Sequence, residues 1–210
     1  MKSVINFKYT HKTVDVPVKT AVTRLVKDIQ EDNGKVELFS DRVESSAEKG
    51  TLNHLVMSKL DLSLKSLEDI KTQIDSLVEK GVIEASDIED IEVEGIYKLL
   101  NNKDFINLIE GAQKIYQEKE FYTQVDASLL SQEETKDKII VQGIIDLLII
   151  SNKGLIIVDY KTGSLSNEKV VQDYYEQIGI YAKAMEKAFN IKIYKKCLAS
   201  LKNGKLIVAE

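Results

Sequence analysis

Two apolar segments joined by a short polar turn constrain the fold of this chain most strongly. Residues 138–151 read KIIVQGIIDLLIIS and residues 155–163 read LIIVDYKTG, with Asn152, Lys153 and Gly154 between them. Their β-branched, apolar composition predicts two central strands buried on both faces. The polar turn predicts that they form a hairpin. Because both faces of such a hairpin need cover, we expect a sheet with helices packed on it.

The rest of the chain divides into a helical part and a part of mixed structure. Apolar residues at helical spacing, Pro17 at a first helical position and the Ser66–Asp69 cap pattern predict helices in the N-terminal half. The predicted helices span 16–29, 44–62, 66–81, 86–100, 103–116 (with a break at Gly111) and 168–189. Further strands are expected over 121–130, 191–201 and 205–210, the last two forming a hairpin. This order predicts an α/β fold, a mixed β-sheet flanked by helices, with a helical N-terminal half.

Composition excludes several classes of protein. The 210 residues include one Cys, which excludes a disulfide framework or a Cys-rich metal site within this chain. The apolar stretches are too short to span a bilayer as helices, and the N-terminal MKSVINFKYTHK lacks the apolar region of a signal peptide. We therefore expect a soluble, cytoplasmic protein with no membrane partner. A net charge of −5 argues against a polycation but is compatible with a nucleic-acid enzyme.

Two acids occupy strand positions where a carboxylate is costly. Asp146 lies inside IIDLLII and Asp159 lies near the end of LIIVDYK, with Lys161 two residues later on the same face. One interpretation is an internal Asp–Lys pair or a strand end that reaches solvent. The other is a site for Mg²⁺ or Mn²⁺, in which Lys161 stabilises charge on a phosphate. Two acids on hairpin-linked strands favour the second interpretation.

A third group of acids is interpreted differently. Residues 84–94 hold six acids and no base. A metal site there is conceivable, but a solvated helix face is favoured because the acids lack a fixed scaffold.

Three motifs resemble those of a known family. GIIDLLI (143–149), GLIIVDYKTG (154–163) and QIGIYAKAM (177–185) resemble the RecB-type nuclease domain of the PD-(D/E)XK superfamily, as found in bacterial AddAB helicase–nucleases. Upstream, EKGTLNHLVMSKLDL (48–62) resembles the family's Gly-Thr-x-x-His helix, and VPVKTAVTRLVKD (16–28) its lead-in segment. QEKEF (117–121) resembles the family's Arg-Glu-x-Pro-Phe strand start, with Glu118 at the glutamate position and Gln117 and Glu120 in place of Arg and Pro.

The resemblance implies a restriction-endonuclease-like fold and a set of roles. The metal site would comprise His54, Asp146, Asp159 and the Tyr160 carbonyl, binding Mg²⁺ with Mn²⁺ as a substitute. Catalysis would involve Asp146, Asp159, Lys161, Gln177 and Tyr181, and DNA would contact Gln177, Tyr181 and Thr162. Gln177 and Tyr181 share a helix face because they lie one turn apart.

The resemblance also implies a domain organisation and partners. Residues 1–210 would form a single nuclease domain, mainly helical over 1–118 with an α/β catalytic core over 119–210. No G-x-x-x-x-G-K-[ST] motif is present, so this chain does not bind ATP as a helicase does. It would be either a fragment of a longer helicase–nuclease or a free-standing nuclease. The implied partners are DNA, the helicase motor region of a parent chain and a second, AddB-like subunit.

The implied function is metal-dependent DNA exonuclease activity in double-strand break repair. Two alternatives remain open. One is an inactive nuclease-fold module that binds DNA or a partner subunit. The other is a structural α/β domain whose acids are paired internally.

Overall fold

The structure, a computed structural model, describes residues 19–21, 40–126 and 138–209. The chain divides into two compact units. The first comprises residues 1–35 and 122–142, and its described part includes strand β1 (Lys19–Ala21). β1 pairs in parallel with residues 140–142. The second unit comprises residues 36–121 and 143–210 and contains the predicted site.

A mixed sheet forms the centre of the second unit. Strand β3 (Lys138–Ser151) turns tightly into β4 (Gly154–Lys161), and the two pair antiparallel from Leu147↔Val158 to Ser151↔Gly154. β4 pairs in parallel with β5 (Ile193–Ser200), which pairs antiparallel with β6 (Leu206–Ala209). Strand β2 (Ala112–Asp126) also pairs with β3. The predicted central hairpin and C-terminal hairpin are therefore both confirmed.

Helices cover this sheet. A parallel strand pair needs a crossover, and here the long helix α5 (Glu168–Phe189) connects β4 to β5. The N-terminal helices are α1 (Ser40–Lys59), α2 (Leu67–Glu79), α3 (Val93–Leu100) and α4 (Lys103–Glu110), with a 3₁₀ helix at Ala85–Asp90. Their apolar faces pack on β-strand residues including Leu147, Val158 and Tyr160 in one core.

The structure confirms the predicted cap at Ser66, whose side chain accepts a hydrogen bond from the Asp69 N–H. Ser86 does not begin a helix of the predicted kind. Glu84 and Asp87 instead form a capping box on the 3₁₀ helix, and α3 begins separately at Val93. The mixed sheet, flanking helices and helical N-terminal region nevertheless agree with the predicted architecture.

Two segments differ from prediction. The predicted helix over 103–116 ends at Glu110, and β2 starts at Ala112. Gly111 caps the helix there, and Ile115 and Tyr116 are residues that favour strands. Of the predicted helix over 16–29, residues 19–21 form β1, because pairing with β3 overrides local helical spacing. The remainder of that segment lies outside the described residues.

No helix in the described part of the chain is long and apolar enough to cross a membrane.

Candidate active site

Asp146 lies on β3, one residue beyond the end of the backbone pairing between β3 and β4. The pairing of the two strands ends at Leu147 of β3 and Val158 of β4. One residue further, Asp146 Oδ2 accepts a 2.7 Å hydrogen bond from the Tyr160 N–H. The carboxylate thus satisfies a backbone donor of β4 and is fixed against that strand. This contact explains locally how an acid is accommodated among buried apolar residues.

His54 approaches the same carboxylate from α1. Its Nδ1 lies 3.1 Å from Asp146 Oδ1, and its ring packs edge-on against Tyr160, with centroids 6.2 Å apart. Burial by itself lowers the pKa of His54. The hydrogen bond to Asp146, with attraction from Asp146 and Asp159, outweighs burial, so the pKa of His54 is raised. The charges of Asp146 and Asp159 therefore both stabilise the protonated imidazole of His54.

Asp159 is buried, with 6% of its surface exposed. Lys161 Nζ lies 2.7 Å from its Oδ2, as the shared strand face predicted. The pKa of Asp159 is raised to about 6, chiefly by burial and also by repulsion from Asp146. Attraction to Lys161 and His54 acts in the opposite direction and keeps the pKa from rising further. The Asp159 carboxylate is thus incompletely compensated by the protein's own cations.

A residue that the sequence analysis missed holds Lys161. Lys161 Nζ lies 4.1 Å from the centroid of the Tyr174 ring on α5. An ammonium over an aromatic face is attracted by the ring's quadrupole. The spacing of residues along α5 could have identified Tyr174. It precedes Gln177 by three residues and Tyr181 by seven, so it lies on the same face of the helix.

A second missed residue, Asn53, anchors the helix that carries His54. Its side chain is fully buried. Asn53 Oδ1 accepts from the Glu92 N–H at 2.8 Å, and its Nδ2 donates to the carbonyls of Lys49 and Asp90 at 2.8 and 2.9 Å. Lys49 also forms an ion pair with Asp90. The acidic run 84–94 therefore lies against α1, with its six acids exposed or half-buried, as a solvated segment predicts.

Three of the sequence motifs meet in one packing cluster. A Cβ on Gly143 would lie 2.7 Å from a carbon of the Phe121 ring and 3.1 Å from a carbon of the Tyr181 ring. Those two rings pack edge to face, with centroids 5.4 Å apart. A glycine at 143 thus allows β2, β3 and α5 to approach closely, three residues before Asp146.

The remaining predicted residues are placed as follows. Tyr181 is 5% exposed and packs in this apolar cluster. Thr162 follows β4, with its Oγ1 beside Gly50 of α1. Gln177 lies on α5, but its side chain is outside the described ones. Gln117, at the family's Arg position, donates to the carbonyls of Met57 and Leu60 and so ties β2 to the end of α1.

Tyr160 contributes its backbone and a buried ring. Its hydroxyl has no hydrogen-bond partner among the described residues. Burial, and secondarily Asp146, raises the pKa of this hydroxyl well above its ordinary value.

The side chains of Asp146, Asp159 and His54 are of types that bind divalent cations. Carboxylate oxygens are ligands that suit Mg²⁺ and Mn²⁺, and each of the two carboxylates retains lone-pair capacity beyond its present partners. The raised pKa of Asp159 also indicates that additional positive charge would stabilise its ionised form. Within the described ranges, however, no three His, Cys, Asp or Glu side chains are arranged as a group that could hold a metal ion.

The mixed sheet flanked by helices, with two acids on its central hairpin, is the α/β architecture expected of a nuclease domain. Comparison with protein families agrees, because the PD-(D/E)XK nuclease superfamily matches residues 28–203. The chain therefore belongs to the PD-(D/E)XK nuclease superfamily, and its fold class is the restriction-endonuclease-like one that the sequence predicted.

Curated relatives make the relationship more specific. The chain is 30% identical, over its whole length, to the A subunit of the ATP-dependent helicase/nuclease of Clostridium acetobutylicum, covering 19% of that protein. The proteins of the same name from Thermoanaerobacter sp. and Bacillus cytotoxicus are 28% and 25% identical over 97% and 98% of this chain, which covers 18% and 19% of them. The chain thus spans about a fifth of the length of these relatives. The solved structure of SSO0001 aligns with 94% of this chain and 68% of its own, at 13% identity and a TM-score of 0.38.

Proposed function

We propose that this chain is a metal-dependent DNA exonuclease domain that hydrolyses phosphodiester bonds, as part of an AddAB-type helicase–nuclease in double-strand break repair. The observation that carries the proposal is that His54 contacts Asp146 at 3.1 Å and Lys161 contacts Asp159 at 2.7 Å on paired strands, in a member of a nuclease superfamily. The resemblance of the chain to the A subunits of helicase/nucleases supports DNA as the substrate.

Asp146, Asp159, His54 and the Tyr160 carbonyl would hold the metal, Mg²⁺ with Mn²⁺ as a substitute. When bound, such an ion supplies Lewis-acid polarisation of a phosphate oxygen and lowers the pKa of a bound water. Nucleases of this superfamily generally use divalent metal ions, and the donor chemistry described above supports the same use here.

The protein's own groups would do the remaining work. Asp146 orients the His54 imidazole through the 3.1 Å contact with its Nδ1. Lys161 carries a positive charge at the edge of the site, 17% of its side chain being exposed, so its ammonium can stabilise negative charge that develops on a phosphate. Asp159 and Tyr174 both hold that ammonium.

We propose that α5 and the turn after β4 contact the substrate. Gln177 would face the DNA from the helix, one turn before Tyr181, whose ring packs against Phe121 and would hold that turn in place, and Thr162 would contact a phosphate. Contacts to phosphate position the strand without reading its sequence.

We further propose that residues 1–210 act as one nuclease domain, with its mainly helical part at 1–118 and its catalytic core at 119–210. The chain covers 19% of the relative from Clostridium acetobutylicum, which supports its being part of a longer protein with a helicase motor region. A second, AddB-like subunit would complete the assembly, in the cytoplasm.

The test is hydrolysis of single-stranded DNA with Mg²⁺ by the 210-residue protein and by Asp159→Asn, which preserves side-chain volume. We expect the variant to lose at least about a hundredfold in rate, as removal of a charged active-site group does. Glu89→Gln, an exposed acid in the run 84–94, is the matched control and should be unchanged.

Two outcomes oppose the proposal. Equal cleavage by Asp159→Asn and the parent would remove the enzyme hypothesis. DNA binding without cleavage in both would instead establish the inactive nuclease-fold module. Calorimetric Mn²⁺ binding that Asp146→Ala abolishes would exclude a purely structural role for these acids.

A further inference from the structure

A groove lies where α5 meets the start of β5. It has a volume of about 320 Å³ and is lined by Lys183, Glu186, Tyr194 and Lys196, with Gly179 on its helix side. A Cβ at Gly179 would meet nothing within 4 Å, so the glycine leaves this side open. Two lysines and an aromatic ring therefore border one open depression.

Further lysines surround the same tyrosine. Lys153 Nζ lies 5.4 Å from the centroid of the Tyr194 ring and 3.5 Å from its hydroxyl oxygen. Lys195 Nζ lies 5.3 Å from the same centroid. Tyr194 itself is 37% exposed. We call this surface the Tyr194 patch, and it comprises Lys153, Lys183, Tyr194, Lys195 and Lys196.

The patch has a strong excess of positive charge in a chain whose net charge is −5. The acid in the groove, Glu186, is engaged, because its Oε1 accepts from the Ile193 N–H at 2.9 Å and its Oε2 lies 3.8 Å from Lys192 Nζ. None of the four patch lysines forms an ion pair with a carboxylate in the described part of the chain. The patch is thus complementary to a polyanion.

Tyr194, at the centre of the patch, is separated along β5 from the proposed active site. In the parallel ladder, Leu155 pairs with Ile193 at one end and Lys161 pairs with Ser200 at the other. Tyr194 lies four residues before Leu198, the partner of Asp159, and six before Ser200, the partner of Lys161, which corresponds to about 13 Å and about 20 Å along a strand. A ligand at Tyr194 would therefore not occupy the site of Asp159 and Lys161.

We propose that the Tyr194 patch binds single-stranded DNA, with a base stacked on the Tyr194 ring and neighbouring phosphates on the lysines. An exposed aromatic ring bordered by cations matches the chemistry of single-strand binding, in which stacking tolerates any base. This inference rests on the proposed nuclease function and extends it, since Tyr194 would hold the strand about 13 Å from the acid Asp159 of the proposed active site.

The test uses fluorescence anisotropy of a labelled twenty-nucleotide oligothymidylate in EDTA, where a metal-dependent nuclease does not cut. Tyr194→Ala should weaken binding about tenfold because the stacking face is lost. Tyr194→Phe keeps that face and should bind within about twofold of the parent. Circular dichroism and thermal melts of each variant report whether it is folded.

The lysines have a separate readout. Combining Lys153→Gln with Lys196→Gln should reduce the slope of log affinity against log salt by about 1.4, or about 0.7 for each lost phosphate contact on a single strand. The matched control, Lys71→Gln with Lys80→Gln, changes two exposed lysines of the α2 region and should leave the slope unchanged.

Turnover of thymidine 5′-(p-nitrophenyl phosphate) with Mn²⁺ separates this inference from the proposed function. The substrate is too short to span both surfaces, so Tyr194→Ala should turn it over like the parent. Absence of turnover in the parent would count against the nuclease function alone. Unchanged anisotropy in Tyr194→Ala would overturn the patch as a DNA surface, and weakening confined to a parallel oligouridylate would overturn its assignment to DNA.

Discussion

The ammonium nitrogen of Lys161 lies 4.1 Å from the centroid of the Tyr174 ring. The two residues come from β4 and from the crossover helix that follows it. Because an aromatic face attracts a partly desolvated ammonium by about 0.5–2 kcal/mol, the helix helps to fix the lysine beside Asp159. The position of the proposed catalytic cation therefore depends on a helix packed against the strand that carries it.

Replacing Tyr174 should consequently affect catalysis through Lys161. We expect Tyr174→Leu to lower kcat for single-stranded DNA about fivefold to tenfold, with KM little changed, because a cation–π contact of about 1 kcal/mol is lost. Tyr174→Phe retains the ring face and should restore the parental rate. A Phe variant as slow as the Leu variant would show that the hydroxyl, rather than the ring face, is the important group.

Asn53 offers a test of how α1 is held. Asn53→Ala removes partners from the Glu92 N–H and the Asp90 carbonyl in a fully buried position. Buried groups that lose their partners cost about 1–3 kcal/mol each, so we expect the free energy of unfolding to fall by about 2–4 kcal/mol in urea titrations. Asn107→Ala, on the exposed side of α4, serves as the control and should be nearly neutral. Equal stabilities for the two variants would contradict this role of Asn53.

The sequence predicted the features of the site that depend on local pattern. Asp146 and Asp159 were identifiable because acids are conspicuous in apolar strands, and Lys161 because strand alternation places it beside Asp159. The contacts of Asn53 with Asp90 and of Gln117 with Met57 join residues 37 and 60 positions apart. No local periodicity encodes such pairs, since they depend on how α1 packs against other elements.

A pair of glycines tests the packing of the helical part. A Cβ on Gly95 would lie 1.7 Å from the Leu201 carbonyl oxygen, whereas one on Gly50 would have Thr162 Oγ1 as its nearest contact at 3.9 Å. We expect Gly95→Ala to destabilise the fold by about 1–3 kcal/mol or more through overpacking. Gly50→Ala should be neutral or stabilising by up to about 1 kcal/mol, because alanine favours a helix interior. Thermal denaturation of both variants measures the difference, and similar melting temperatures would contradict the close approach of α3 to the β5–β6 turn.

Cys197 should be inert in the folded protein. Its side chain is fully buried in β5, as its apolar strand context predicted, and burial raises the pKa of the thiol to about 12. At about pH 8 the native protein should therefore react with iodoacetamide far more slowly than the urea-unfolded chain, because the thiolate is the reactive form. Mass spectrometry measures the rate of alkylation. Equal rates for the native and the unfolded protein would show that β5 opens readily.

In the proposed metal site, the raised pKa of Asp159 would link metal binding to pH. Burial raises this pKa from 3.8 to about 6, so between these values the folded chain retains a proton that the unfolded chain has lost. Without metal, this group's contribution to stability is therefore greatest at low pH and declines as pH rises towards 6. A cation requires the ionised carboxylate, so its binding has the opposite dependence on pH.

We accordingly expect the increase in melting temperature produced by Mn²⁺ to be small at about pH 5 and to grow up to about pH 7. Below about pH 6 the calorimetric affinity should fall at least tenfold per pH unit, because Asp159 takes up a proton and His54, whose pKa is also raised, takes up another. In Asp159→Asn the carboxyl contribution disappears, so the residual dependence on pH should be shallower. An Mn²⁺ affinity independent of pH across this range would mean that the ion binds elsewhere, because no ligand set containing this buried carboxyl can bind metal without displacing its proton.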